Sequence, residues 1–219
     1  MYVPPHFAQD DRSRLFECVE RYPFAVLVSN AGERPFATHL PLLLDRDAGP
    51  NGTLVGHMAR DNPHWRLARG DTLAIFSGPH AYISPTWYEA ERVVPTWNYV
   101  AVHAYGELTI LDSHGDRLRI VQDFVDRFER GMPRPWRLDA SQGVSDAPPV
   151  ESGVRWIERL AESIVGFRVE IERLEGKWKL NQNQPRDRRE RVARALEAGD
   201  DDQSRGVASL MRQNLEDMP

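Results

Sequence analysis

Five of the seven histidines, His39, His57, His64, His80 and His103, fall in the half of the chain richest in β-type runs. Imidazole is the commonest metal ligand, so a cluster of this kind raises the question of a metal site. Their spacing speaks against one. None stands two residues along a strand, or four along a helix, from another histidine or a carboxylate, the spacings that put two ligands on one face. No metal is expected, and two readings stay open: histidines donating to backbone carbonyls in a half-buried sheet, or histidines facing a ligand.

A second constellation is GHMARDNPHWRLAR, residues 56 to 69. A strand runs into a turn carrying Arg60 and Asn62, then into a short helix with Pro63 at its first position, where the missing N–H costs nothing. Free N–H groups at a helix start, with a guanidinium beside them, outline an anion site suited to phosphate. Ordinary capping by Asn62, with Arg60 in solvent, accounts for the same residues. Further on, Trp87, Tyr88, Trp97 and Tyr99 flank the EAERV turn, as core caps or as walls for a flat heteroaromatic ring. GKWKLNQN places Lys177 and Lys179 on one strand face, followed by Asn181, Gln182 and Asn183. Two cations and several amides suit a phosphate and a polar ring edge, and equally a charged edge strand that resists aggregation.

The elements that must position these residues follow from periodicity. DRSRLFECVERYP, residues 11 to 23, is a first helix with Leu15, Phe16, Cys18 and Val19 inward and Pro23 as its stop. FAVLVSN and PFATHLPLLLD are β-type runs joined through Gly32 as an antiparallel hairpin. TLVGHMA, TLAIFSG and VPTWNYVAVHAYGELTILD supply further strands, with a break expected at Gly78-Pro79 and a bend or bulge at Gly106. DRLRIVQDFVDRFER, residues 116 to 130, sets Leu118, Val121, Phe124, Val125 and Phe128 on one helical face. Residues 141 to 153 read as a loop, VRWIERLAESI as a helix, VGFRVEIERLEGKWKL as a pair of strands, and the chain from Pro185 as charged helices. Consecutive antiparallel strands with helices outside them predict a mainly β fold, an antiparallel barrel flanked by helices. No Rossmann glycine turn, P-loop or H-E-x-x-H is present.

Composition bounds the function. The chain has 219 residues and a formal net charge of -5, which gives no global attraction to nucleic acid. One basic helix, PRDRRERVARALEAG, residues 185 to 199, is the local candidate for DNA, through Arg188 and Arg191, and it reads equally as a solvated helix. The single Cys18 excludes an internal disulfide and suits a reducing cytosol. The first residues lack the pattern of a signal peptide and no apolar run reaches membrane-span length, so a soluble, cytoplasmic protein is expected. Residues 1–184 are expected to form the barrel domain and 185–219 a charged helical extension.

Taken in order, MYVPPHF, ATHLPLLLD, GHMARDNPHW, GPHAYISPTWY, VPTWNYVAVHAYG and VGFRVEIERLEGKWKLNQN resemble the PaiB family of FMN-binding negative transcriptional regulators. That resemblance implies the FMN-binding split barrel of the pyridoxamine phosphate oxidase-like group, homodimeric, with flavin at the subunit interface. It implies phosphate contacts at His57, Met58, Ala59, Arg60 and Asn62, and ring neighbours at Thr38, His39 and Ser77. His80, Tyr82, Ser84, Trp97 and Asn98 match its most specific motifs, and Lys177, Lys179 and Gln182 would complete the phosphate or ring-edge contacts. Two positions depart from the family pattern: Asn181 stands where serine is usual, and His64 where glutamine is frequent. The residues offer no acid/base pair or activated nucleophile, which favours binding over catalysis. An FMN-dependent oxidoreductase or flavin reductase is the alternative.

Overall fold

The computed structural model describes residues 1–32, 34–138 and 153–217. In chain order its elements are β1 (Ala8–Gln9), α1 (Arg12–Arg21), β2 (Phe24–Ala31), β3 (Arg34–Pro41), β4 (Leu43–Asp45), β5 (Thr53–Ala59), α2 (His64–Leu67), β6 (Arg69–Ile83), a 3-10 turn (Pro85–Tyr88), β7 (Thr96–Leu111), α3 (His114–Glu129), α4 (Gly153–Glu162), β8 (Ile164–Lys179), α5 (Arg186–Glu197) and α6 (Asp202–Asp217). The strands form a sheet in the order β3-β2-β6-β7-β8-β5-β4, with β1 pairing to β8. The expected mainly β fold with flanking helices is therefore observed. The loop expected at residues 141 to 153 falls, up to residue 152, outside the described residues.

The chain divides into two compact units. One comprises Met1–Tyr22, Ile75–His103 and the chain from Leu174 onward. Its first helix starts where Asp11 accepts from the backbone N–H groups of Ser13 and Arg14, a cap worth about 1 kcal/mol. Leu15, Phe16, Cys18 and Val19 of α1 are buried, as their spacing predicts. Phe76 and Ile83 of β6, Val102 of β7, Leu196 of α5 and Met211 of α6 are also fully withdrawn from water. Each such side chain contributes about 1.5–3 kcal/mol by burial.

The other unit comprises Pro23–Ala74 and Ala104–Arg173. Its hairpin pairs Phe24 with Pro41 through to Ala31 with Arg34, and Gly32 at the turn has φ +79°, a conformation that glycine alone adopts freely. β5 pairs antiparallel with β8 from Thr53↔Glu170 to Ala59↔Ile164. Leu27, Leu54, Phe167 and Ile171 are buried here. In α3 the buried stripe is Arg117, Ile120 and Phe124, and Phe128, expected inward, is 39% exposed.

Two local expectations fail for one reason. β6 runs unbroken through Gly78-Pro79, and β8 is a single strand rather than a pair. Gly106, within the single strand β7, answers to a close approach: a Cβ there would lie 1.9 Å from the carbonyl oxygen of Glu170. Neighbouring strands override local breakers when the sheet continues on both sides.

Candidate functional site

Strand alternation puts His80 and Tyr82 of β6 and Trp97 of β7 on an outward face of the first unit. Trp97 is 54% exposed and Tyr82 47%. Their ring centroids are 6.0 Å apart at an interplanar angle of 71°, and His80 lies 6.2 Å from Trp97. Three aromatic side chains held in water beside one another form a surface that gains by covering a flat apolar ligand.

Lys179 stands at the same strand start. Its Nζ donates to Thr96 Oγ1 at 2.6 Å and to the carbonyl of Trp97. Burial, and then the charge of Lys177, hold it below the usual lysine range. Lys177 is buried, donates to the carbonyl of Tyr2 at 3.0 Å, and faces the rings of Tyr2 and Tyr99 at 5.5 and 5.3 Å.

Gln182, Asn98 and Ser84 of this unit are engaged or buried within it. Gln182 accepts from the Leu180 N–H at 2.8 Å and donates to the Trp178 carbonyl at 2.6 Å, so its amide closes a turn rather than waiting for a ligand. Asn98 is fully buried, with Nδ2 3.5 Å from Met211 Sδ and Oδ1 without a partner among the described residues. Ser84 caps the 3-10 turn through Thr86, and Ser77 is exposed on β6.

In the second unit, Thr38 of β3 joins Asn62 and His64. Asn62 Nδ2 donates to Thr38 Oγ1 at 3.1 Å, Thr38 Oγ1 lies 2.8 Å from His64 Nδ1, and Asn62 Oδ1 accepts from the His64 backbone N–H at 3.0 Å. With Nδ1 accepting from the Thr38 hydroxyl the ring proton sits on Nε2, and with Nδ1 donating to it Nε2 is an acceptor. That atom is buried without a partner among the described residues. Burial lowers the His64 pKa, which keeps the ring neutral. His39 is exposed, 6.3 Å from the ring of Phe24. His57 packs edge-on against Phe124 at 4.9 Å, its pKa also lowered by burial. Met58 is buried and Ala59 exposed.

Arg60 corrects the sequence reading. Its guanidinium is bidentate on Asp112, at 3.2 and 2.7 Å, and donates further to the carbonyls of Glu162 and Ile164 at 2.7 and 2.8 Å. Asp112 also receives Arg117, and the Arg60 bond holds its carboxyl below the ordinary aspartate value. The arginine is about a third exposed and spends four of its five N–H donors on partners within the unit. Pro63 precedes α2 as its cap residue, and Asn62 takes the first helical N–H. The structure adopts the Asn62 capping of the alternative reading, with Arg60 paired to Asp112 where that reading left it in solvent.

On the basic helix α5, Arg188, Arg189 and Arg191 are engaged within the unit while Arg186 and Arg194 stay exposed. Arg191 donates twice to the Tyr88 carbonyl, at 3.1 and 2.9 Å, and once to Asp187 at 2.8 Å. Arg188 reaches Gln184 at 3.2 Å, and Arg189 is buried against Asn214. A helix that spends these guanidiniums on its own unit is poorly suited to read DNA. Sequence reasoning missed two partners, Asp112 and the Tyr88–Asn181 pair. Tyr88 lies in a motif already singled out, but nothing in its spacing points to residue 181. Among the described residues no group of three or more side chains is placed to hold a metal ion, and no helix is long and apolar enough to cross a membrane.

With this geometry in view, comparison with known proteins is informative. The sequence model of the family described as "Putative FMN-binding domain" matches residues 1–173. Protease synthase and sporulation protein PAI 2 of Bacillus subtilis is 32% identical over 219 residues, 98% of this chain and 98% of its own. An uncharacterised protein of Emericella nidulans is 28% identical, covering 99% of this chain and 98% of its own. Among solved structures, the flavocytochrome Anf3 of Azotobacter vinelandii superposes with a TM-score of 0.56 at 14% identity, over 81% of this chain and 72% of its own. An FAD and heme binding protein of Mycobacterium smegmatis gives 0.53 at 13%, over 78% and 73%. At these identities the structures speak for the fold alone, and that fold is the split barrel expected from the sequence.

Proposed function

The chain belongs to the family described as "Putative FMN-binding domain", and from that membership we propose that it is an FMN-binding, PaiB-type negative transcriptional regulator, cytoplasmic and homodimeric. The observation that carries the reading is the exposed face of His80, Tyr82 and Trp97. The residues present fit a flavin: two aromatic rings offer stacking area, and Lys179 beside them offers a donor to an anionic or carbonyl edge. A bound flavin would supply redox chemistry. What this chain supplies is a surface, a cation held at the Trp97 carbonyl, and a fixed orientation of the rings.

The polar group of Thr38, Asn62 and His64 is a second candidate flavin surface, in which His64 Nε2, without a partner among the described residues, is donor or acceptor according to the ring tautomer. His39, His57, Met58, Ala59 and Ser77 remain proposed neighbours. Arg60 is left out of the phosphate contacts because four of its five N–H donors already serve Asp112 and two carbonyls. Kinship with PAI 2 supports the regulatory role. The inward-facing arginines of α5 argue against that helix as the DNA reader, so the regulator would act through another surface or through a partner.

Purified protein mixed with FMN and desalted is expected to keep the flavin absorption band, and a flavin-free spectrum after saturation would overturn the reading. Sedimentation at micromolar concentration tests the dimer.

A further inference from the structure

The first unit holds a cavity of about 330 Å³ that the flavin reading does not use. Its walls come from α1, β7, β8 and α6: Cys18, Tyr22, Val100, Trp178 and Leu210 supply the apolar part of the lining, and Arg14, Glu17, Arg21 and Glu216 the charged part. This volume lies at the low end of small-molecule sites, roughly 300–1,000 Å³, and suits a ligand of amino-acid size.

The rim chemistry narrows the class. Arg21 faces the ring of its neighbour Tyr22, 5.7 Å from the guanidinium carbon, lies near enough to Cys18 for its charge to act on the thiol, and has no carboxylate partner among the described residues. Glu17, one helical turn before it, likewise has no hydrogen bond or ion pair there, although both side chains are exposed at the mouth. A guanidinium and a carboxylate four residues apart lie on one helical face. Above an apolar interior they match a carboxylate and an ammonium carried on one small body.

We propose that this cavity is a binding site for a small zwitterion with an apolar side chain, such as a hydrophobic α-amino acid. Arg21 takes the carboxylate, Glu17 the ammonium, and Trp178 with Leu210 covers the side chain. The α6 wall includes Asn214, which also accepts from Arg189 of α5, so occupancy ties α1 to the α5–α6 pair. The site is independent of flavin, and its test does not depend on flavin being bound.

The test is calorimetric titration of the full chain with L-phenylalanine, beside N-acetyl-L-phenylalanine and phenethylamine, which lack one charge each. L-Phenylalanine is expected to bind in the millimolar range or tighter, and each analogue about tenfold more weakly. Alkylation of Cys18, the cysteine in the wall, locates the site: ligand at roughly ten times its Kd should slow it about tenfold. Leu210→Trp, which fills the cavity, should abolish both effects, and Arg21→Gln or Glu17→Gln on the exposed rim should weaken binding without altering the circular dichroism. Absence of binding, equal binding of all three compounds, or unchanged alkylation would each overturn the proposal. If Leu210→Trp does not fold, the comparison of analogues on the unmodified chain decides the matter.

Discussion

The side-chain amide of Asn181 donates to the hydroxyl of Tyr88 at 2.9 Å, joining residues 93 apart in sequence, with both side chains buried. Asn181 also has φ +65°, a left-handed conformation that asparagine tolerates better than most residues. The position that departs from the family's serine therefore joins two features in one side chain, a buried bond and a turn. Tyr88→Phe should cost about 1–2 kcal/mol in urea unfolding through the unpaired amide. Asn181→Ala should cost about 1 kcal/mol more than Asn181→Gly, because only alanine keeps the left-handed strain. Equal losses for alanine and glycine would show that the backbone plays no part.

Tyr82 and Trp97 are exposed, so removing their rings should leave the fold intact. Tyr82→Ala with Trp97→Ala is expected to weaken FMN retention by tenfold or more, about 1.4 kcal/mol or above, from lost stacking area. Equilibrium dialysis with circular dichroism as the control reads both quantities. Unchanged FMN affinity would move the ring to the surface of Thr38, Asn62 and His64, where Thr38→Val is the corresponding variant.

Arg60→Ala separates a structural arginine from a phosphate-reading one. Its loss leaves Asp112 with Arg117 alone and removes donors from two carbonyls, so the melting temperature should fall by about 2–8 °C. The ratio of FMN to riboflavin affinity should not change. The pair also titrates. Asp112 has a folded pKa below its ordinary 3.8, chiefly through the Arg60 bond. The unfolded chain therefore takes up this proton first, and the stability contributed is present above pH 3.8 and lost as pH falls through the folded value. Asp112→Asn should flatten that acid limb, modestly, since both side chains are about a third exposed.

What the sequence made legible was local. The α1 stripe of Leu15, Phe16, Cys18 and Val19 and the hairpin at Gly32 follow from periodicity and turn chemistry over a few residues. Arg60 was legible as a cation but not in its use, because Asp112 lies 52 residues away and no local rule couples the two. Gly78-Pro79 looks like a break, and Gly106 like a bend or bulge, when read alone. In the sheet they are places where strands or helices approach closely: Pro79 lies against Gly206, and Glu170 against Gly106. The candidate site was legible as residue types, and the structure sorted them by exposure, keeping Tyr82 and Trp97 in solvent while withdrawing Asn98 and occupying Gln182.

His64 gives a second pH dependence. Burial lowers its pKa from 6.5, so on acidification the unfolded chain protonates this ring first. Stability is complete above about pH 6.5 and declines as pH falls through the folded value. His64→Gln should remove its share of the decline between neutrality and pH 5 and leave that of His57, which shifts in the same direction. Chemical denaturation across that window reads the difference, and identical profiles would show that His64 does not titrate on unfolding.

Cys18 sets the opposite limb. Burial pushes its thiol from 9.0 up to about 12, so the unfolded chain loses this proton first as the solution becomes alkaline. The contribution to stability is whole below pH 9.0 and is lost as pH rises toward 12. The same shift controls reactivity, because the thiolate is the nucleophile. Alkylation of the native chain at pH 8 should run about a thousandfold slower than that of an exposed thiol and climb steadily through the alkaline range. Urea should restore the ordinary rate. A fast native reaction would mean that the cavity wall opens readily, and the zwitterion's protective effect would then have to be read as a change in that opening.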